Sequence, residues 1–149
     1  MQSVPKFLAE EKFSWNGIEI LKYKEDGSPF KSVTRQILFE GSRDLACQLR
    51  YFDIAPRGYS TLERHRHRHV VVIIRGKGKA LVGNRVHKVK PFDAIIIPPL
   101  TWHQFRATDG VHLGFLCLVN SERDKPQVPT KAALKKFASD PQVAKFMRI

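Results

Sequence analysis

Between residues 33 and 119 the apolar positions fall in short, β-branched runs, punctuated at regular intervals by glycine, proline, asparagine and aspartate. Runs of that length with that punctuation predict an antiparallel sandwich or barrel. Val33 to Phe39 is followed by Glu40-Gly41-Ser42, and Leu45 to Ile54 stops at Ala55-Pro56-Arg57-Gly58. Val70 to Ile74 is continuously apolar and ends at Arg75-Gly76-Lys77-Gly78, whose glycines permit the positive φ that a reversal needs. Ala80-Leu81-Val82 and Arg85-Val86-His87 flank Gly83-Asn84, a two-residue link suited to a tight hairpin. Ala94 to Ile97 lies between Pro91 and Pro98-Pro99, and Trp102 to Ala107 leads through Thr108-Asp109-Gly110 into Val111 to Val119. The pattern predicts about eight strands, enough for a jelly roll.

Beyond the strands the period changes. Thr130 is placed to cap a helix over Lys131 to Ala138, and Asp140 to cap a second that opens with Pro141. Leu134 and Phe137, then Val143, Phe146 and Met147, give each helix one apolar stripe, predicted to pack on the barrel. Ahead of the strands, Phe13 to Tyr23 predicts one more, added to the sheet or exchanged with a partner. With 149 residues, 42% of them hydrophobic, the expectation is one domain spanning 1–149, its core barrel at about 33–119 and its helices at about 130–148.

Charge narrows the class of partner. Lysine and arginine number 26 against 14 acids, a formal charge of +12, which favours a small anionic ligand, nucleic acid or acidic lipid. The basic residues are scattered singly, with no basic arm and no helix-turn-helix, so neither nucleic acid nor membrane is the expected partner. Cys47 and Cys117 are far apart and form no CxxC pair, which predicts free thiols in a reducing compartment. The first residues carry no signal-type apolar core, and no apolar run approaches a membrane span. A soluble, cytoplasmic protein is expected.

One stretch carries chemistry. In Glu63-Arg64-His65-Arg66-His67-Arg68-His69 every second residue is a metal-ligand type and every residue between is arginine. If the stretch is extended, Glu63, His65, His67 and His69 share one face and the arginines share the other, as a charged outer surface that resists edge pairing. The next residues of the ligand parity, Val71 and Ile73, are apolar, so the ligand face points inward. Buried there without a cation, four such groups would each cost several kcal/mol of desolvation, on the order of 2–7 for a neutral polar group.

These residues resemble the two-motif signature of the cupins: Gly58, then Glu63-x-His65, then His69 with Gly76 after it, then Pro98 and His103. The likeness covers roughly residues 45 to 119. It implies a small jelly-roll β-barrel, all-β but for the two C-terminal helices, usually a homodimer, holding one divalent metal inside the barrel. The usual first motif has two histidines and then a glutamate. Here the order is exchanged, which assigns Glu63, His65, His69 and His103 as ligands, with His67 either replacing Glu63 at a bulge or orienting a ligand. Other departures are Phe92 and Leu100 where glycine is usual and Ala107 where asparagine is usual. Three imidazoles and a carboxylate suit manganese first, or iron, nickel or zinc, and leave an octahedral ion two open positions for a bidentate substrate.

Within the cupins, the runs Leu62 to Gly76, Ile97-Pro98-Pro99, Thr101 to Ala107, Gly114 to Cys117 and Arg123 to Pro126 look like the group that contains manganese-dependent methylthioxylulose-phosphate methylsulfurylase. That resemblance implies Lewis-acid chemistry on a sugar phosphate, carbon–sulfur cleavage with release of methanethiol, and a cavity faced by Phe115 and Cys117. The Cys117 thiol would be nucleophile or proton donor, its alternative role being a small buried apolar group. Trp102 and Phe105 wall the pocket or pack in the core, and Arg50 binds an anion or makes an outward salt bridge. His87 and His112 are expected on the surface. The rival functions are a metal-dependent dioxygenase or isomerase, and a non-catalytic binding module.

Overall fold

Alternation of apolar and polar residues becomes a curled antiparallel sheet in the computed structural model, which describes residues 5–24 and 29–149. In chain order the elements are β1 (Leu8–Ala9), β2 (Ser14–Trp15), β3 (Leu21–Lys22), β4 (Lys31–Phe39), β5 (Cys47–Tyr59), β6 (His69–Gly76), β7 (Gly78–Val82), β8 (Arg85–Val89), β9 (Ala94–Ile97), β10 (His103–Ala107), β11 (Leu113–Asn120), α1 (Lys131–Ala138) and α2 (Pro141–Phe146). The main sheet runs β8-β7-β10-β5-β11-β6-β9, and β4 joins it through β5. This is the all-β jelly roll with two short C-terminal helices that the sequence predicts.

β5 makes the corner of the barrel. Through Ile54 it pairs with β11, and at Tyr59 it has crossed to β10, opposite Arg106. The Ala55-Pro56-Arg57-Gly58 segment, expected to end the strand, bends it instead. Arg57 has φ of 67°, and the pairing with β4 slips between Lys31 and Val33. Such a bulge turns a strand from one sheet into the next without terminating it.

Inward positions of β4, β5, β6, β10 and β11 fill the barrel. Ile54, Ile73 and Leu113 are completely buried, and Phe52, Phe105 and Phe115 form a stack with centroid separations of 5.5 and 4.6 Å. Each such side chain contributes roughly 1.5–3 kcal/mol of burial. On the outer side of β7 and β10, Leu62 and Leu81 pack against Val143 and Phe146 of α2. The caps are as predicted: Thr130 accepts from the Ala133 amide, and Asp140 from the amides of Gln142 and Val143.

The N-terminal stretch differs from expectation. Phe13 to Tyr23 is broken near Gly17, whose φ is 77°, into β2, which pairs with β1, and β3, which pairs with β4. Phe13 and Trp15 lie on Tyr51, 5.7 and 4.9 Å away, so the hairpin covers part of the outer sheet. Phe92 and Leu100 have φ of 73° and 57°: they keep the left-handed conformation that explains why glycine is usual there. Among the described residues no helix is long and apolar enough to cross a membrane.

Candidate metal centre

The run Glu63 to His69 is not one strand. Glu63 exchanges backbone hydrogen bonds with His103, at 3.2 and 3.0 Å, and Arg64 does so with Gln127, at 3.0 and 2.8 Å. At Arg66 and His67 the chain bends, and both amides donate to the Asp124 carboxylate, at 2.8 and 3.2 Å. β6 starts only at His69. Partners forty to sixty residues away thus take the amides that a regular strand would have used. Side-chain alternation survives the bend: His65 and His69 are buried, and Arg66 and Arg68 are exposed. Arg64 departs from the expected outer surface. It is half-buried, its Nε donates to Gln127 Oε1 at 2.9 Å, and its guanidinium lies 4.6 Å from the Trp102 ring.

His65, His69 and His103 meet inside the barrel, with one ring nitrogen from each within 4.8 Å of the others. Two of the rings are oriented by main-chain carbonyls. His103 Nδ1 donates to Thr101 O at 2.9 Å and His65 Nδ1 to His67 O at 3.3 Å. A carbonyl can only accept, so each Nδ1 carries the proton and each Nε2 keeps its lone pair. Burial, and then the neighbouring rings, hold His65 down at about 4. Burial also holds His103 at about 4, against the raising effect of the Thr101 carbonyl. Burial and the charges of His65 and His103 push His69 lower still. Near neutral pH the cluster is therefore three uncharged, preoriented donors with no proton to displace from Nε2 of His65 and His103. That is what a divalent transition ion requires of imidazole ligands.

His67 is the nearest additional donor. Its Nδ1 lies 2.8 Å from Asp124 Oδ1 and its Nε2 lies 3.0 Å from His69 Nε2. A 3.0 Å separation suits an N–H···N hydrogen bond, and equally two adjacent ligands of an octahedral ion with bonds of about 2.1 Å. Glu63 is buried beside the cluster, but its carboxylate is engaged by the Lys24 ammonium and by Tyr23 Oη at 3.4 Å. The fold thus brings together three of the four expected ligands and sets Glu63 alongside in an ion pair.

The histidines line a cavity of about 460 Å³. Arg50, His67, Phe105, Phe115 and Cys117 line it. The Cys117 sulfur lies 3.2 Å from His69 Nδ1 and 3.5 Å from Arg50 Nη2. Burial pushes its thiol up, and the Arg50 charge partly opposes this. Trp102 is a correction. It precedes His103 on the same strand path, so alternation sends it to the outer side, where it meets Phe137 of α1 edge-on at 5.7 Å and does not touch the cavity. Its neighbour Gln104, on the same parity, is wholly buried there, donating to the carbonyls of Ser60 and Arg148. His112 keeps 41% of its side chain exposed and pairs with Asp53, its Nδ1 2.6 Å from Oδ1.

Sequence reasoning passed over Tyr23, Lys24, Arg35, Arg123 and Asp124, all of which line the cavity. For Arg123 and Asp124 a signal existed in the Arg123-Asp124-Lys125-Pro126 run. Arg35 takes its inward parity from the pairing of β4 with β5, and Tyr23 and Lys24 follow β3, which pairs with β4; neither placement has a local mark.

A jelly-roll barrel with a buried histidine cluster facing an open cavity defines a small-molecule-binding β-barrel with a potential metal site. The family is the cupins, to which this chain belongs: the cupin domain family matches residues 50–119. The chain is 52% identical, over 93% of its length and 88% of the relative's, to 1-methylthio-D-xylulose 5-phosphate methylsulfurylase of Rhodospirillum rubrum. Two crystal structures are similar. A cupin 2 conserved barrel domain protein from Rhodopseudomonas palustris is 45% identical, covering 98% of this chain and all of that one, with a TM-score of 0.91. A cupin-2 domain protein from Rhodospirillum rubrum is 50% identical over 96% and 95% of the two chains, with a TM-score of 0.85.

Proposed function

We propose that this chain is a single-domain, cytoplasmic, homodimeric cupin enzyme. In this reading it uses one divalent ion, manganese first, to cleave a carbon–sulfur bond in a small phosphorylated, methylthio-substituted ketose. The observation that carries the reading is the Cys117 thiol, buried in the cavity wall 3.2 Å from a histidine of the buried cluster. The name of the 52% identical relative supplies the sharpest version of the substrate.

His65, His69 and His103 would hold the ion, with His67 or Glu63 completing the set. Bound there, it supplies Lewis-acid polarisation of a carbonyl and an adjacent hydroxyl. With His69 Nε2 committed to a cation, the ring proton resides on Nδ1 and faces the Cys117 sulfur, where it favours the thiolate that burial alone opposes. That thiolate attacks the methylthio sulfur. The bond from this sulfur to the sugar carbon breaks, its electron pair stays with the carbon, and the carbon takes up a proton. The mixed disulfide left on Cys117 is cleared by a small external thiol: two equivalents leave as the disulfide, and methanethiol is released. Phe105 and Phe115 exclude water from the reacting sulfur, and Asp124 fixes the His67 ring.

The test is elemental analysis of untagged protein, followed by assay on 1-methylthio-D-xylulose 5-phosphate with and without added thiol. The expected result is near one metal per chain and thiol-dependent methanethiol release. Cys117→Ser should lose about 10²-fold or more of turnover at unchanged metal content. Full turnover in that variant would remove the thiol role. Stoichiometric oxygen consumption would indicate a dioxygenase, a mass-neutral product an isomerase, and absence of metal uptake a binding module.

A further inference from the structure

We propose that Arg35, Arg50 and Arg123 form a distinct anion subsite in this cavity, one that takes a doubly charged phosphoryl group at the end of the ligand remote from the histidines. The proposal rests on the functional reading above only in taking the cavity as the substrate site.

Strand register puts the first two arginines on the inner wall. Arg35 of β4 lies opposite Phe52, Ile37 lies opposite Arg50 of β5, and Arg50 lies opposite Cys117 of β11, so Arg35 and Arg50 are diagonal neighbours on one face. Arg123 enters from the turn after β11, its Nη1 donating to Asn120 O at 3.2 Å. All three line the cavity that holds the histidines.

Arg50 is the informative member. It is only 8% exposed, and its Nε, fully buried, has no hydrogen-bond partner among the described residues. Its other contacts are weak for a guanidinium: the Cys117 sulfur at 3.5 Å and the Phe52 ring at 4.9 Å. A buried cation without an acceptor is strongly disfavoured unless a ligand supplies one. Among the described residues no carboxylate does so. Among the described residues none of the three arginines is in an ion pair. The two acids that line the cavity among the described residues are already engaged, Glu63 by Lys24 and Tyr23, and Asp124 by His67 and two backbone amides.

The arginines also sense one another. Arg123, at the open rim, is held below its ordinary value by partial burial first and then by the charges of Arg50 and Arg35. Like charges this close are tolerated where an anion spends time between them, and planar guanidinium forks fit the tetrahedral face of a phosphoryl group. The contacts from His69 to Cys117 and from Cys117 to Arg50 set the thiol between histidines and arginines. A ligand that spans both ends is therefore a short chain with an oxygen-rich reacting end, a phosphoryl group at the other, and the thiol beside its middle.

Calorimetric titration of the purified, metal-bearing protein with inorganic phosphate tests this, with acetate and chloride at matched ionic strength as controls. Arg35→Gln and Arg123→Gln are the variants of choice because neither side chain is fully buried; Arg50→Lys adds a variant that keeps the charge and loses the fork. The expected result is saturable phosphate binding, weakened about tenfold or more in each variant at unchanged metal per chain. Three results would overturn the proposal: no saturable binding, equal binding by wild type and variants, or acetate bound as tightly as phosphate. The titration needs no catalysis. A chain that takes up no metal yet binds phosphate through these arginines would retire the metal reading and leave the subsite standing.

Discussion

The histidines of the cluster show how single residues are prepared for a cation. His103 and His65 each donate their Nδ1 proton to a main-chain carbonyl, and burial keeps both rings neutral down to about 4. The same preparation makes the metal-free protein sensitive to acid. Folded-state values are about 4 and the ordinary value is 6.5, so between those limits the unfolded chain binds protons that the folded chain excludes. The contribution of these two rings is therefore complete above about 6.5 and is lost as pH drops toward 4, and His69, held lower still, carries the fall further. For His103, which is almost fully buried, the slope in that window is up to about 1.4 kcal/mol per pH unit. Urea midpoints of chelator-treated protein at pH 7 and pH 5 should show the loss, and His103→Gln should flatten it. Equal midpoints at the two pH values would mean that the rings are not held neutral by burial. With metal bound the fall should be steeper, because protons then also displace the ion.

Elements were more legible than the site they carry. Strands β4, β6, β7, β8, β9, β10 and β11 and both helices fall within a few residues of the runs that announce them, because each has a local period and a local stop. Two kinds of feature were hidden. The bend at Arg66-His67 depends on Asp124 and Gln127, distant partners that leave no mark on the local alternation. The arginine group depends on which faces of β4 and β5 end up opposed, which only the register fixes. Turns are the converse case, since their chemistry is local. Gly76, with φ of 66°, ends β6 so close to the His112 carbonyl that an added Cβ would sit 1.7 Å from its oxygen. Gly76→Ala should therefore cost more than the roughly 1–2 kcal/mol of the left-handed conformation alone. Phe92 is the opposite case: it adopts φ of 73° in the turn closed by the Asp93 amide on the Lys90 carbonyl, and its ring is 86% exposed. Phe92→Gly should be neutral to stabilising by up to about 1 kcal/mol. Chemical denaturation of the two variants measures both, and a stabilising alanine at residue 76 would contradict the assigned turn.

At the scale of the whole molecule, one face is left without a covering among the described residues. Outward residues of the sheet line up in apolar rows across strands: Leu49, Leu118, Val70 and Ile96 in one, and Leu116, Val72 and Ala94 in the next. The N-terminal hairpin covers Tyr51 at one end, and the C-terminal helices lie on the far sheet over β7 and β10. Leu118 and Ile96 remain 40% and 48% exposed, and β9 is a free edge of the main sheet. A second copy laid against these rows would bury apolar surface on both sides through one self-complementary patch, as a two-fold dimer does. Sedimentation velocity at micromolar concentration should therefore show a dimer. Leu118→Glu, which sets a charge at the centre of the patch, should shift it to monomer while leaving metal per chain unchanged. Phe92→Ser, at an exposed turn residue outside these rows, should remain dimeric. A monomeric wild type, or a Leu118→Glu protein that stays dimeric, would place the interface elsewhere.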